Sequence, residues 1–421
     1  MMSIVLTSNL RHEINAPSSV TLPEELIVEV LSRLNINAPS SVTLPEELIV
    51  EVLSRLNVKS VTRLKCVSKC WNSIISDSFF AKMHVDNSSR ISHIMLYSSH
   101  VLNTSISVSF NIFPISGFLE NPSINILKED SKYQLTKLCH REGLIGSCNG
   151  LVCVLNSSEN GFYVWNPATT QPFSENVVSY PLPLRHEKIY YRFSFGYDNL
   201  SNKYKLVMFS LEEVRVFTIG DNVWKNIQCF PVYPYSSKIF IDRIGGDGVY
   251  VSNSLNWFAL LDNHGYYNNQ DLNVEQLAII SLDLGTETYT KFQFPRDIDE
   301  IPSLHPTVCK LMDSLCFHLY TKEDSLVIWR MAEFGVEKSW TKLLKLDYHS
   351  LPDCYRIILY LLPLHIFENG DLLAYVSDIG EAGELIRYNM RDKRVVGKSI
   401  FCKNIYLYHV IPYVESLVST F

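Results

Sequence analysis

The chain has 421 residues, 47% of them hydrophobic, which is enough to fill more than one core. Only 19% are charged and the formal net charge is -7, a balance that excludes a general nucleic-acid binder with a basic face. Tyr (23) and Phe (21) each outnumber Gly (17) and Pro (18), and aromatic richness of this kind favours strands.

The first residues, MMSIVLTSNLRHE, hold one short apolar run with no basic stretch ahead of it, so no secretory signal is expected. Apolar runs fall far short of the roughly 20 residues a spanning helix needs, so no membrane segment is expected. The 10 cysteines are scattered and form no CxxC pair. Neither a disulfide framework nor a zinc site follows from that spacing, and no cofactor or metal is expected. The compartment these features fit is a reducing one, the cytosol and/or the nucleus.

Residues 14–35 read INAPSSVTLPEELIVEVLSRLN, and residues 36–57 repeat all 22 without a substitution. Solenoids need several diverged, stacked units, so two identical copies mean a recent duplication or a fault in assembling the sequence. Each copy specifies a helix. In the second, Thr43 and Glu46 make a capping box, Pro45 suits the first turn, and Leu48, Ile49, Val52, Leu53 and Leu56 recur at helical spacing. Ser60 is expected to cap a second helix through Val61, Leu64 and Val67. A third, 68–75, carries Cys70, Trp71, Ile74 and Ile75. Lys59, Arg63, Lys65 and Lys69 leave this stretch basic. Forty residues of helix bury too little by themselves and usually lean on a partner.

From about residue 90 the pattern changes to apolar runs of four to seven residues between Asn, Asp, Gly and Ser turns. Hairpin segments recur at 162–173, 214–227, 279–292, 326–343 and 385–397, a spacing that fits propeller blades with variable loops. The expectation is a mainly β chain with a small helical N-terminal domain and a propeller-like domain of about six blades. A β-sandwich pair is the competing architecture.

Residues 43–82, from Leu44, Pro45, Glu46 and Glu47 to VSKCWNSIIS with Trp71, resemble an F-box. Six further motifs resemble, in order, the plant F-box-associated interaction domain: GSCNGLVCV, VWNPATTQ, FGYDNLSNKYKLV, SLDLGTETYTKFQFP, VIWRMAEFGVEKSWTKL and YVESLVS. The resemblance implies an N-terminal tail at 1–42 with a spare first helix, an F-box at 43–85 and a target-binding β domain at 90–421. It implies a substrate-recognition subunit of an SCF ubiquitin ligase, whose partners are a Skp-type adaptor, cullin through that adaptor, and an unidentified target protein. Neither nucleic acid nor membrane is implied. The residues expected to meet the adaptor are Leu44, Pro45, Ile49, Val52, Leu53, Leu56, Leu64, Val67, Cys70, Trp71 and Ile74, with Pro45, Leu53 and Trp71 as anchors. The other reading of the same domains is a free-standing protein-binding propeller whose F-box engages nothing.

Target capture is expected on long aromatic loops, 180–191, 233–237 and 262–271, through Tyr190, Tyr191, Tyr233, Tyr235, Tyr266 and Tyr267. An enzyme is not expected: no GxSxG, HExxH, GxxxxGK[ST] or GxGxxG occurs. Asp242, Asp247, Asp283 and Asp371 stand in turn contexts, where Asp bends chain. Cys139, His140 and Cys148 have no reason to form a nucleophile and base.

Overall fold

The computed structural model describes residues 46–87, 93–102, 105–117, 123–125, 133–135, 142–156, 160–169, 179–183, 191–232, 234, 248–261, 274–295, 298, 302–321, 325–347, 360–377, 383–400 and 405–419. The chain divides into two compact units, Met1–Asn87 and Ser88–Phe421.

Four helices are described in the first unit: α1 (Glu46–Leu53), α2 (Val58–Leu64), α3 (Lys69–Ser76) and α4 (Ser78–Asn87). Thr43, Leu44 and Pro45 lie outside the described residues. The cap of α2 is Asn57 and not Ser60: Asn57 Oδ1 accepts from the Ser60 amide at 2.8 Å. An Asn preceding the first helical residue satisfies an amide that would otherwise be orphaned, and Ser60 is already inside the first turn. Ser68 caps α3 by accepting from the Trp71 amide at 3.1 Å. Helix α4 is an addition to the three expected, and Asp77 is its local signal: the Asp77 carboxylate accepts from the Phe79 and Phe80 amides. The helices close around Leu53, Leu56, Val58, Val61, Trp71, Ile75 and Phe80, all buried. The α4 side chains His84 and Asn87 hold the end of α1, His84 Nε2 lying 2.8 Å from the Leu56 carbonyl and Asn87 donating to Ser54 Oγ at 2.7 Å.

The second unit is a ring of six antiparallel sheets, the expected blades. Blade 1 takes β1 (His93–Leu102), β2 (Ser105–Pro114) and β4 (Tyr133–Leu135), while β3 (Ser123–Asn125) leaves it. Blade 2 is β5 (Glu142–Cys148), β6 (Leu151–Asn156), β7 (Gly161–Trp165) and β8 (Ser179–Pro181). Blade 3 is β9 (Arg192–Asp198), β10 (Lys203–Phe209), β11 (Val214–Thr218) and β12 (Val223–Ile227). Blade 4 is β13 (Val249–Val251), β14 (Ser254–Leu260), β15 (Leu277–Asp283) and β16 (Tyr289–Gln293). Blade 5 is β17 (Pro302–Leu311), β18 (Ser314–Thr321), β19 (Ser325–Met331) and β20 (Trp340–Asp347). Blade 6 is β21 (Tyr360–Ile366), β22 (Leu372–Ser377), β23 (Glu384–Asn389) and β24 (Arg394–Ile400).

The last strand, β25 (Ile405–Tyr413), pairs antiparallel with β1 and so supplies the inner strand of blade 1. Strand β3 lies parallel to β24 on the outer edge of blade 6, a second tie between the first and last blades. The inner strands β25, β5, β9, β13, β17 and β21 neighbour one another in that order and close the circuit. A closed ring removes the exposed sheet edges that would otherwise invite aggregation.

Apolar wedges between successive blades form the core. Cys153, Phe162, Phe195, Leu206 and Phe217 fill the gap between blades 2 and 3, and Phe209, Val216, Leu255, Trp257 and Leu284 the next. Phe258, Phe292, Phe294, Phe317 and Trp340 follow, then Leu311, Ile328, Leu361 and Ile386. Because each sheet is covered on both faces, strands such as GFYVW and LAIISLD are buried almost throughout and show no alternation.

One polar side chain is out of keeping with this core. His318 on β18 is fully buried, and neither ring nitrogen has a hydrogen-bond partner among the described residues. Burial pushes its pKa from 6.5 down to about 3. The folded state therefore holds the neutral ring while the unfolded chain takes a proton below pH 6.5, so stability falls as pH drops from there towards 3. The loss amounts to about 2 kcal/mol by roughly pH 5. Replacing His318→Leu is expected to flatten the acid limb of urea melts between pH 6.5 and roughly 4.5. An unchanged slope assigns the acid sensitivity to other groups.

Candidate functional site

Two surfaces emerge. On the helical unit, the structure divides the expected adaptor residues into two groups. Ile49, Val52, Leu53, Leu56, Leu64 and Trp71 are buried in the unit's own core, Leu53 and Trp71 at 1% exposure each. In this arrangement two of the three expected anchors, Leu53 and Trp71, pack against their own helices. Val67 is 37% exposed, Cys70 is exposed and Ile74 is partly buried, so a partner can reach all three. Leu44 and Pro45 fall outside the described residues. Two reachable apolar side chains were not on the expected roll as partner contacts: Leu48 at 50% exposure and Phe79 at 59%. Spacing placed Leu48 on the apolar face of α1, but helical periodicity alone does not say which apolar residues stay outside. Lys59, Arg63 and Lys69 are exposed and Lys65 is partly so.

On the ring, topology sorts the connections into two ends. In an antiparallel four-stranded blade, the turns after the first and third strands lie at one end. The turn after the second strand and the link to the next blade lie at the other. The first end is built mostly of tight left-handed turns, with 115–132 and 166–178 its longer connections: Asn149 and Gly150, Asn202, Gly220 and Asn222, Ser252 and Asn253, Glu287, Met312 and Asp313, Gly335, Gly370 and Lys393 all have positive φ. Among the described residues, only Asn160 has a positive φ at the opposite end. That opposite end receives the long connections 228–248 and 261–276, and also 182–191. The three loops expected to capture a target therefore all leave the ring at the same end. Tyr190, Tyr233, Tyr235, Tyr266 and Tyr267 lie outside the described residues. Tyr180 is a core residue, stacked on Phe162 with ring centroids 5.1 Å apart.

Tyr191 is described and partly buried, and donates its hydroxyl to Glu213 Oε1 at 2.8 Å. Arg215 meets the other Glu213 oxygen through Nε at 2.9 Å and Nη2 at 2.6 Å. Burial first, then the Glu213 bond, raises the Tyr191 pKa, so the phenol stays protonated and donates. Next to this group Leu211 stands 75% exposed on the turn between β10 and β11.

The signature motifs lie elsewhere, where they tie blades together. Asn166 of VWNPATTQ is buried and donates to the Ser416 carbonyl at 3.0 Å and the Val418 carbonyl at 2.7 Å, both in the C-terminal YVESLVS. Tyr413 donates to the Gly150 carbonyl of GSCNGLVCV at 3.3 Å. Gly150 has φ +81°, and a Cβ there would fall 2.1 Å from Ser416 Oγ, so only glycine permits the approach. FGYDNLSNKYKLV and SLDLGTETYTKFQFP meet in a second latch. Lys205 is buried and reaches Asp198 at 3.1 Å, Glu287 at 3.3 Å and the Leu284 carbonyl, while Lys225 also binds Glu287.

Of the four turn aspartates, the two described serve a turn and an ion pair. Asp283 accepts from the Gly285 and Thr286 amides, and Asp371 is buried 3.4 Å from Arg387. Asp242, Asp247, Cys139 and His140 are outside the described residues. Cys148 is buried and its thiol pKa is driven upward by desolvation, which disfavours the thiolate a nucleophile needs. Among the described residues no cluster of His, Cys, Asp or Glu could hold a metal ion.

Residues 43–82 match the F-box domain family and residues 92–420 match the F-box associated beta propeller domain family. An F-box/kelch-repeat protein of Arabidopsis thaliana is 26% identical over 301 residues, covering 68% of this chain and 75% of its own. An Arabidopsis F-box protein is 26% identical over 354 residues, 77% of this chain and 74% of its own. The F-box protein CPR1 from the same plant is 24% identical over 309 residues, 68% of each chain. With a helical box, a closed six-bladed ring and motifs that latch its blades, the chain belongs to the plant F-box proteins that carry an F-box associated β-propeller domain.

Proposed function

We propose that the chain is the substrate-recognition subunit of an SCF ubiquitin ligase. The helical unit binds a Skp-type adaptor, and cullin through it, while the loop-bearing end of the ring holds a target protein for ubiquitination. The carrying observation is that an F-box with exposed Leu48, Val67 and Phe79 is covalently joined to a propeller whose connections 182–191, 228–248 and 261–276 share one end. Exposed Lys59, Arg63 and Lys69 favour an acidic adaptor and make its association salt-sensitive. In this reading the chain makes and breaks no covalent bond, and it works in the cytosol and/or the nucleus.

Leu48→Asp with Val67→Asp is expected to abolish co-purification of adaptor and cullin at unchanged thermal stability, since a few interface residues dominate, at about 2 kcal/mol or more each. Leu44→Ala with Pro45→Ala is expected to weaken it in the same direction. If both double variants retain adaptor and cullin at wild-type levels, the free-standing binding propeller with an idle box is the better account.

A further inference from the structure

The place of α1 in the helical unit is defined entirely by residues of the second repeat copy. Ile49, Val52, Leu53 and Leu56 are buried there, Ser54 accepts from Asn87, and the Leu56 carbonyl faces His84. Counting back 22 positions gives Ile27, Val30, Leu31, Leu34 and Ser32, the same residue type at every point. Selectivity is a difference of affinities, and two identical segments offer the slot none. Only the covalent connection distinguishes them. The second copy passes into α2 through Asn57, whereas the first would leave residues 36–57 as a loop before Val58. The weight against closing a flexible loop grows only as about the three-halves power of its length, which puts the first copy on the order of a hundredfold behind.

We propose that the F-box has two interchangeable first helices: residues 24–35 replace residues 46–57 in the α1 slot, as a minor register in the intact chain and as the major one when the second copy is damaged. The exchange is intramolecular, because a tethered segment competes at a far higher effective concentration than one from another molecule. Deleting residues 14–35 from the intact chain therefore changes little, while the same deletion in a damaged chain removes the spare.

The test uses the full chain with the thiols exposed among the described residues removed by Cys66→Ser, Cys70→Ser and Cys229→Ser, and with Cys139→Ser, Cys354→Ser and Cys402→Ser added because those three lie outside the described residues. Asn87→Cys is combined with either Ser54→Cys or Ser32→Cys, and mild oxidation is followed by peptide mapping. The 54–87 bond is expected to form rapidly. The 32–87 bond is expected to form on the order of a hundredfold more slowly. Leu53→Asp should make the 32–87 bond the fast one, and adding Leu31→Asp should abolish that gain. Arg33→Cys, one position round the helix, reports collisions of an undocked segment. A 32–87 bond no faster in the Leu53→Asp chain than the Arg33→Cys control overturns the proposal, as does one found only in covalent dimers. Thermal melts give an independent reading: Leu53→Asp alone must be more stable than Leu31→Asp with Leu53→Asp, and equal stabilities overturn it.

Discussion

Removal of residues 405–421 is expected to abolish cooperative unfolding of the propeller. The reason is that β25 is not an appendage but the inner strand of blade 1, paired with β1 along most of its length. It also brings Val410, Tyr413 and Leu417 into the core and places Ser416 against Gly150 and Asn166. Without it, the inner edge of β1 is unpaired and the apolar wedges on both sides of blade 1 lose a wall. A milder variant keeps the comparison quantitative. Tyr413→Ala removes one fully buried ring and the hydroxyl that meets the Gly150 carbonyl, and should cost about 3–5 kcal/mol in urea melts. Should the truncated chain melt as one sharp transition near the wild-type midpoint, the ring does not depend on its last strand.

Lys205→Ala is expected to have the next largest effect, about 3–5 kcal/mol, because it strands Asp198, which the fold has taken out of water, and leaves Glu287 with Lys225 alone. Asp198 keeps its charge through this ammonium and the hydrogen bonds around it, and Glu287 through Lys205 and Lys225 together. For Asp198, burial alone would raise the pKa, but bonds from Ser201, the Leu200 amide and Lys205 outweigh it and hold the carboxyl below its ordinary 3.8. Glu287 is likewise held below 4.5 against burial, through Lys225 and Lys205. Carboxyls depressed in this way stabilise the fold above their ordinary values and lose that contribution only as pH falls through the lower folded ones. The latch thus adds acid sensitivity below about pH 4, at the lower end of the window that His318 opens at 6.5. Lys205→Met with Asp198→Asn should recover part of the loss, since replacing both charges avoids leaving one unpaired. Equal stability of Lys205→Ala and wild type would show that water reaches the pair.

The class of fold and the six blades were legible because hairpin segments at blade spacing need only local pattern to be seen. Closure was not, since β1 and β25 pair across more than three hundred positions, and neither strand carries a mark of its partner. Nor was the excursion of β3 to blade 6, a parallel pairing of three residues. The helical site was half legible. Apolar residues at helical spacing are required both by a core and by a partner's surface, so Leu53, Trp71 and Val67 looked alike until burial separated them. Tyr180 misled for the same reason: an aromatic at the start of a loop segment turned out to lie within β8 and stack on Phe162. The signature motifs were read as marks of family, and their physical work, latching blades 1 to 2 and 3 to 4, depends on contacts between segments up to 263 positions apart.

The asymmetry between the two ends of the ring bears on how such a chain can diverge. At one end, most turn lengths are locked by left-handed residues such as Asn149 with Gly150 and Ser252 with Asn253, where a single insertion would shift the strand register and turn every following side chain to the wrong face. At the other, length is nearly free, because lengthening an existing loop adds closure entropy only logarithmically. Copies of such a gene can therefore gain, lose and rewrite surface at one end while the frame and its latches stay fixed at the other. New binding preferences become accessible by insertion as readily as by substitution, without each change being screened first for whether the ring still closes.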